Sequence, residues 1–581
     1  MKTKNLLSGL LIFLFFLLSS TTVLSQNSGF TINFDKTDFD LKDSGEFSEF
    51  DINGTEYIME IDAGKPALPY LPVNYVVPYG SEYVTIDFTY DSVLFAENIT
   101  IKPTQQIIPL KPNIPLPKKV KPLKNIYKSF GPFPVRIIKN TSTQKMNNYE
   151  FFTFEVSPFI YYPLEKQIYL IKNLQVNVSY TSNSTPLNQN RFDDGTFYNI
   201  LKDEVINPEV LNFENSNYIS NRINYLIIAD SSLIEAFMPL KEWKNQKGVK
   251  TEIISTQQIY SNYCGATDQL KIKNCIKDYY ENKGTLFILL GGGVNTVPVQ
   301  RVYSNGSGEA DNTIPCDLYY SCFDNTFNWD GNDNKIYGEV ADNIDLSPEV
   351  FISRAPVETV SHTNAFVNKT LNYEKNPPLN NFANEMVNFG IELFGEWGGR
   401  CDAAWLTERV FEDYIDPFWN GTHHSFYEID SSGTSYKISD SLLTSEINKG
   451  FNFMFMASHG EPNEYLHPPA VSIFDIEDVY ELNNPLEQGI IVTIACLTNA
   501  FDDIIGYSTS TGYPILFDSC LSESFLRYDQ GGALAYFGSS RVGLGLAEPS
   551  SDLGLHFYTP HGFLKAYLAD NHLKININWG Q

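Results

Sequence analysis

The sequence has no CxxC pair, which excludes the usual structural zinc sites. It has no H-E-x-x-H and no G-x-S-x-G, so the common zinc-protease and serine-hydrolase signatures are missing. Gly291-Gly292-Gly293 ends an apolar run, but no Lys-Ser or Lys-Thr follows, so it reads as a tight turn and not a phosphate loop. Basic residues are scarce: 41 Lys and Arg stand against 69 Asp and Glu, a formal charge of −28. The one basic stretch, Lys118, Lys119, Lys121 and Lys124, is short and Pro-rich, so no nucleic-acid partner is expected. Beyond the N-terminus no run is apolar and long enough to span a bilayer, and no membrane span is expected after signal removal. No repeat of solenoid period is visible.

What is present begins with an export signal. Lys2 and Lys4 precede an apolar stretch from Leu6 to Leu18, and Val23-Leu24-Ser25 offers a cleavage site before Gln26. A secreted or cell-surface protein is expected, the alternative being an uncleaved anchor. Asn53, Asn98, Asn140, Asn177, Asn183, Asn305, Asn368 and Asn420 stand in N-x-S/T, each a weak signal alone. The seven cysteines are an odd number, so at least one thiol is free or intermolecular. Cys264 with Cys275, and Cys316 with Cys322, are close enough along the chain to be disulfide candidates.

A chain of 581 residues with 43% hydrophobic content has room for several packed domains. Residues 1–25 read as the signal. Residues 26–215 read as all-β, with alternating runs such as Tyr83–Phe88 and Leu174–Val178 broken by Pro and Asn turns. Residues 216–222 form a polar linker, with Arg222 as the processing candidate and Lys202 second. From 223 to 581 the texture changes. Eight apolar runs alternate with helical patterns: 224–230, 251–255, 285–292, 350–356, 385–393, 452–458, 489–496 and 532–539. That alternation predicts a parallel sheet flanked by helices.

Two of those runs end in reactive side chains. Phe453-Met454-Phe455-Met456-Ala457-Ser458 leads into His459-Gly460, and Ile490-Ile491-Val492-Thr493-Ile494-Ala495 leads into Cys496. Cys496 follows His459 by 37 positions, about one strand–helix–strand unit, so neighbouring parallel strands would deliver both to one sheet edge. A thiol and an imidazole there read as nucleophile and base. Gly460 lets backbone N–H groups approach a ligand, so the Gly460 and Cys496 N–H groups are the candidate oxyanion donors. The structural alternative is a core histidine and a buried cysteine. His467 competes as the base from a position off the strand end.

These segments resemble the gingipain family of cysteine peptidases, within the caspase-like clan. The likeness runs in order through Asn224–Asp230 with Pro239–Lys244, Cys316–Tyr320 with Trp329–Asn332, Val350–Val357, Ser458-His459-Gly460 and Ala495-Cys496. Upstream, Pro66-Ala67-Leu68-Pro69 resembles the family's β-rich propeptide. The resemblance implies a caspase/gingipain-like α/β fold behind an all-β prodomain. It also implies a zymogen whose own propeptide acts as an intramolecular inhibitor, with protein or peptide as substrate. It implies a carboxylate that orients the histidine, matched by Glu396, with Asp402 or Glu408 as substitutes. The substrate-contacting positions are Asp402, Ser458, Ser540 and Arg541. The aromatic that closes a basic-specific pocket is missing at Ser539–Gly545, and Arg541 there points away from Arg or Lys specificity.

Asp330, Asn332 and Asn334, the Ile336 carbonyl and Glu339 place oxygens at alternating positions, a candidate structural calcium loop that departs from the EF-hand pattern. The alternative is a polar turn. No cofactor is needed for the chemistry. The expectation is a secreted cysteine endopeptidase acting through an acyl-enzyme. An inactive peptidase-like binding protein and a transpeptidase are the alternatives.

Overall fold

The computed structural model describes residues 25–52, 57–111, 117–182, 192, 194–211, 221–306, 309–323, 329–342, 344, 346–397, 400–415, 417, 419–429, 435–502, 505–507, 514–516 and 519–546. Nearly all of the expected signal, most of the linker, Asn53 and Asn183 lie outside them.

The N-terminal region is antiparallel. Its main strands are β1 (Ser25–Ile32), β2 (Pro69–Val77), β3 (Ser81–Glu97), β4 (Ile107–Pro109), β5 (Tyr149–Val156) and β6 (Gln167–Ser182). β6 lies between β1 and β3, while β2 pairs with β5 in a second sheet. Period-two alternation decides what β2 packs against. Val73, Tyr75 and Val77 enter a core shared by both sheets, with Phe152, Phe154, Leu170, Val176 and Val178. Val76 and Phe151 face the other way and join the core of the following α/β region. The N-terminal region is therefore apolar on two sides, and its second side is buried on the rest of the chain.

That rest runs β7 (Tyr225–Ala229), α1 (Ile234–Gln246), β8 (Thr251–Ser255), α2 (Asp268–Lys283), β9 (Phe287–Gly291), β10 (Phe351–Ala355), α3 (Val360–Lys375), β11 (Glu385–Gly390), α4 (Asp402–Val410), β12 (Thr422–Tyr427), β13 (Phe453–Ala457), β14 (Ile490–Thr493), β15 (Ala535–Phe537) and β16 (Leu544–Leu546). All eight apolar runs contain strands, but they build two sheets where one was expected. The order β8-β7-β9-β10 makes one parallel sheet, and β12-β11-β13-β14-β15 makes another. A hairpin, Gln300–Gly306 with Glu309–Cys316, interrupts the chain between β9 and β10. Edge strand β12 escapes the sequence pattern because Thr422, His423 and His424 are polar and exposed.

The second sheet is covered on both faces, as continuous apolar strands require. Along β13, Phe453, Phe455 and Ala457 join one core with Ala403, Leu406 and Val410 of α4. Met454 and Met456 join another with Leu443 and Ile447. Local signals set the helix ends. The Thr267 hydroxyl accepts the Leu270 N–H to start α2, and Gly284 at φ 64° stops it. Among the described residues no helix is long and apolar enough to cross a membrane. All seven cysteines are free thiols, which corrects the two disulfide candidates.

Candidate active site

β13 and β14 are adjacent and parallel, with Met456 opposite Thr493. Three residues beyond that pair each strand reaches its reactive side chain, so His459 and Cys496 come out level at the carboxyl edge of the sheet. Both are buried. A main-chain oxygen joins them: Leu110 O lies 2.8 Å from His459 Nδ1 and 3.1 Å from Cys496 Sγ. The thiol and ring nitrogen are therefore no farther apart than those two contacts end to end, a gap that direct or one-water proton transfer spans.

The surroundings engage both groups. The Cys496 thiol donates to Leu110 O, and its sulfur accepts the Gly543 N–H at 3.1 Å. Burial pushes the thiol up to about 12, and the Gly543 N–H pulls the other way. His459 Nε2 is 2.7 Å from Leu393 O, so both ring nitrogens face carbonyls. A neutral imidazole can donate to only one of them; an imidazolium satisfies both. Burial draws His459 below its ordinary range, while the two carbonyls and the charge of Glu392 oppose that. Leu497, directly after Cys496, takes φ 60°, a left-handed bend uncommon for leucine, and its N–H donates to Arg541 O.

Gly460 fills a place no other residue fits. A Cβ there would lie 2.7 Å from Cys496 O, 2.7 Å from Thr498 Cγ2 and 3.0 Å from Ala495 Cβ. Two of those atoms are stiff parts of the cysteine turn, so the clash cannot relax cheaply. Gly460→Ala is expected to cost about 1–3 kcal/mol and to displace Cys496. An unchanged urea midpoint for that variant would refute the packing argument.

The other sequence candidates scatter. Asp402 was expected to contact substrate. It is buried, and its carboxylate accepts the N–H groups of Leu393 (2.8 Å), Phe394 (2.7 Å) and Ala403 (3.0 Å). It thereby holds the loop that presents Leu393 O to His459; burial raises it to about 6. Arg541 was expected to contact substrate. Its guanidinium is instead spent on Asp311 (3.2 Å), Asp502 (2.9 Å) and Thr313 O (2.5 Å). Arg301 also pairs with Asp502. Ser540 gives its carbonyl to Arg541, and Ser458 is fully buried with no hydrogen-bond partner for its hydroxyl. Glu396 opens a two-residue strand paired to Arg400–Cys401, and its side chain is not among those described. Among the described residues, Glu392 is the carboxylate whose charge bears on His459. His467 pairs with Glu428 at 3.0 Å. Arg222 is bonded to Asp194 and Gly284 O.

In the calcium candidate, the Asn332 and Asn334 amides both donate to Glu339 Oε1, and Asp330 accepts the Lys335 N–H. Ile336 gives its N–H to Asn334, and Asp342 accepts three backbone N–H groups. Among the described residues no three His, Cys, Asp or Glu are grouped to hold a metal. Leu110, Leu393, Glu392 and Gly543 were invisible in the sequence, since three of them act through the backbone and their neighbours are distant in the chain.

Comparison with known proteins bears out the resemblance to the gingipain family. Lys-gingipain HG66 of Porphyromonas gingivalis is 20% identical over 395 residues, covering 66% of this chain and 19% of that protein. Lys-gingipain W83 of the same organism is 19% identical over 393 residues, with the same coverage. The chain thus spans about a fifth of the length of these curated relatives. The crystal structure of the Arg specific cysteine proteinase gingipain R is 18% identical, with a TM-score of 0.41, covering 56% of this chain and 64% of that one. The complex of Porphyromonas gingivalis RgpB pro- and mature domains is 17% identical, with a TM-score of 0.39, covering 55% and 64%. Residues 19–219 match the family's propeptide, and residues 218–580 match Peptidase family C25. Over that span, the chain belongs to peptidase family C25.

Proposed function

We propose that the chain is the latent form of a secreted cysteine endopeptidase inhibited by its own prodomain. The observation that carries this reading is the single Leu110 carbonyl held against both Cys496 and His459. β4 runs antiparallel to β16, with Pro109 opposite Leu544, and the Leu110 N–H donates to Gly543 O at 2.8 Å. An extended substrate would add to the edge of β16 in the same way. The prodomain strand therefore blocks the cleft and keeps the thiol protonated.

When that strand leaves, a substrate carbonyl takes its place. His459 accepts the Cys496 proton, and the thiolate forms a bond to the carbonyl carbon. The Gly460 and Cys496 N–H groups are proposed to hold the oxyanion; losing one such donor typically costs ~10² to 10³ in turnover. His459 then protonates the leaving amine as the peptide C–N bond breaks. Water, giving its proton to His459, releases the acid and restores the thiol. Glu396 is proposed to steady the imidazolium. Residues 1–25 would direct export.

The test is product analysis with a peptide substrate after the prodomain strand is displaced, with and without an added amine. Two hydrolysis fragments support the peptidase. A new amide to the added amine would make it a transpeptidase, and no turnover would leave a binding protein. We also propose a structural calcium ion at Asp330–Glu339, which predicts a higher melting temperature in calcium than in chelator; identical melts would remove it.

A further inference from the structure

We propose that this chain cleaves after leucine or a similar aliphatic residue, and not after a basic or acidic one. The inference rests on the peptidase reading and adds the substrate class. The carbonyl at the reactive atoms identifies the residue on the acyl side of the cut, and here that residue is Leu110. Lys111 would then belong to the leaving side.

The Leu110 side chain is 2% exposed and shares an apolar core with Leu393 and Ile494, against which Phe394, Leu497 and Val542 pack. Gly545 of β16 forms its floor. A Cβ at 545 would sit 3.2 Å from Leu110 Cδ2 and 3.6 Å from Phe394 Cε2, so glycine there leaves width for a branched aliphatic side chain. The two nearby charges that sequence offered for recognition are already committed. Asp402 is turned to three backbone N–H groups, and Arg541 to Asp311 and Asp502. A lysine, arginine or glutamate replacing Leu110 would bury a charge against hydrocarbon, which is costly without a partner.

The test varies residue 110 in the full chain and reads the iodoacetamide alkylation rate of Cys496 by peptide mapping, a measurement that needs no turnover. Leu110→Met should keep protection within about threefold. Leu110→Lys, Leu110→Arg and Leu110→Asp should each raise the rate by roughly 10² or more. Protection by lysine or arginine equal to that by leucine would overturn the apolar pocket. The opened Leu110→Lys chain is then given Ile-Ile-Pro-Leu and Ile-Ile-Pro-Lys, each carrying a fluorogenic amide. Cleavage of the leucine peptide at least tenfold faster supports the proposal, and faster cleavage of the lysine peptide refutes it. Rapid alkylation with neither peptide cut would instead refute the peptidase reading, leaving the alkylation series to judge the pocket.

Discussion

Cys496→Ala is expected to reduce peptide hydrolysis by about 10⁴-fold or more while the fold survives. The sulfur is the atom that would bond to substrate carbon, and alanine has nothing to put in its place. The structural cost is modest. The variant loses one S–H contact to Leu110 O and leaves the Gly543 N–H without its acceptor, about 1–3 kcal/mol in a buried setting. Cys520 is an internal control. It is equally buried, and its thiol lies 3.1 Å from the Ser522 hydroxyl. Cys520→Ala should retain activity. The measurement is kcat/KM on chain opened at the prodomain strand, beside a urea melt. Residual activity above about 1% of wild type in folded Cys496→Ala would remove Cys496 from the mechanism.

Iodoacetamide should separate two thiols of the intact chain by roughly three orders of magnitude. Cys264 is exposed, whereas Cys496 is buried beneath Leu110 with its thiol raised to about 12. The thiolate is the reactive species. At pH 8, four units below that value, about one molecule in 10⁴ carries it, against roughly a quarter for an ordinary cysteine. The sign follows from the direction of the shift. A thiol raised in the folded state favours the closed form up to ordinary thiol ionisation. That advantage is lost as pH climbs toward 12. Labelling of Cys496 should therefore rise steeply with pH, and the contrast should vanish in urea. Equal labelling of both cysteines in the native chain at pH 8 would show that the prodomain strand does not cover the site.

Much of this site could be read without coordinates. Continuous apolar strands are legible because burial on both faces leaves no place for polar residues, and β13 is the clearest case. His459 and Cys496 were legible because each ends such a strand one crossover apart. Asp402 and Arg541 show where that reasoning stops. Their charge was correctly noticed, but its use was not. A carboxylate at the start of a helix can face a substrate or take up nearby backbone N–H groups, and spacing alone does not choose between them.

The sequence by itself determined the α/β class, the β-rich region before it and the placing of His459 and Cys496 at the ends of two apolar strands, because periodicity and strand ends are local properties of the chain. Only the tertiary structure decided what meets them. Leu110 touches His459 and Cys496 across more than 300 residues of chain, and it does so through a backbone carbonyl, a group every residue carries. No side-chain pattern can announce such a contact, since it depends on where a prodomain strand is pinned against β16 in the folded chain.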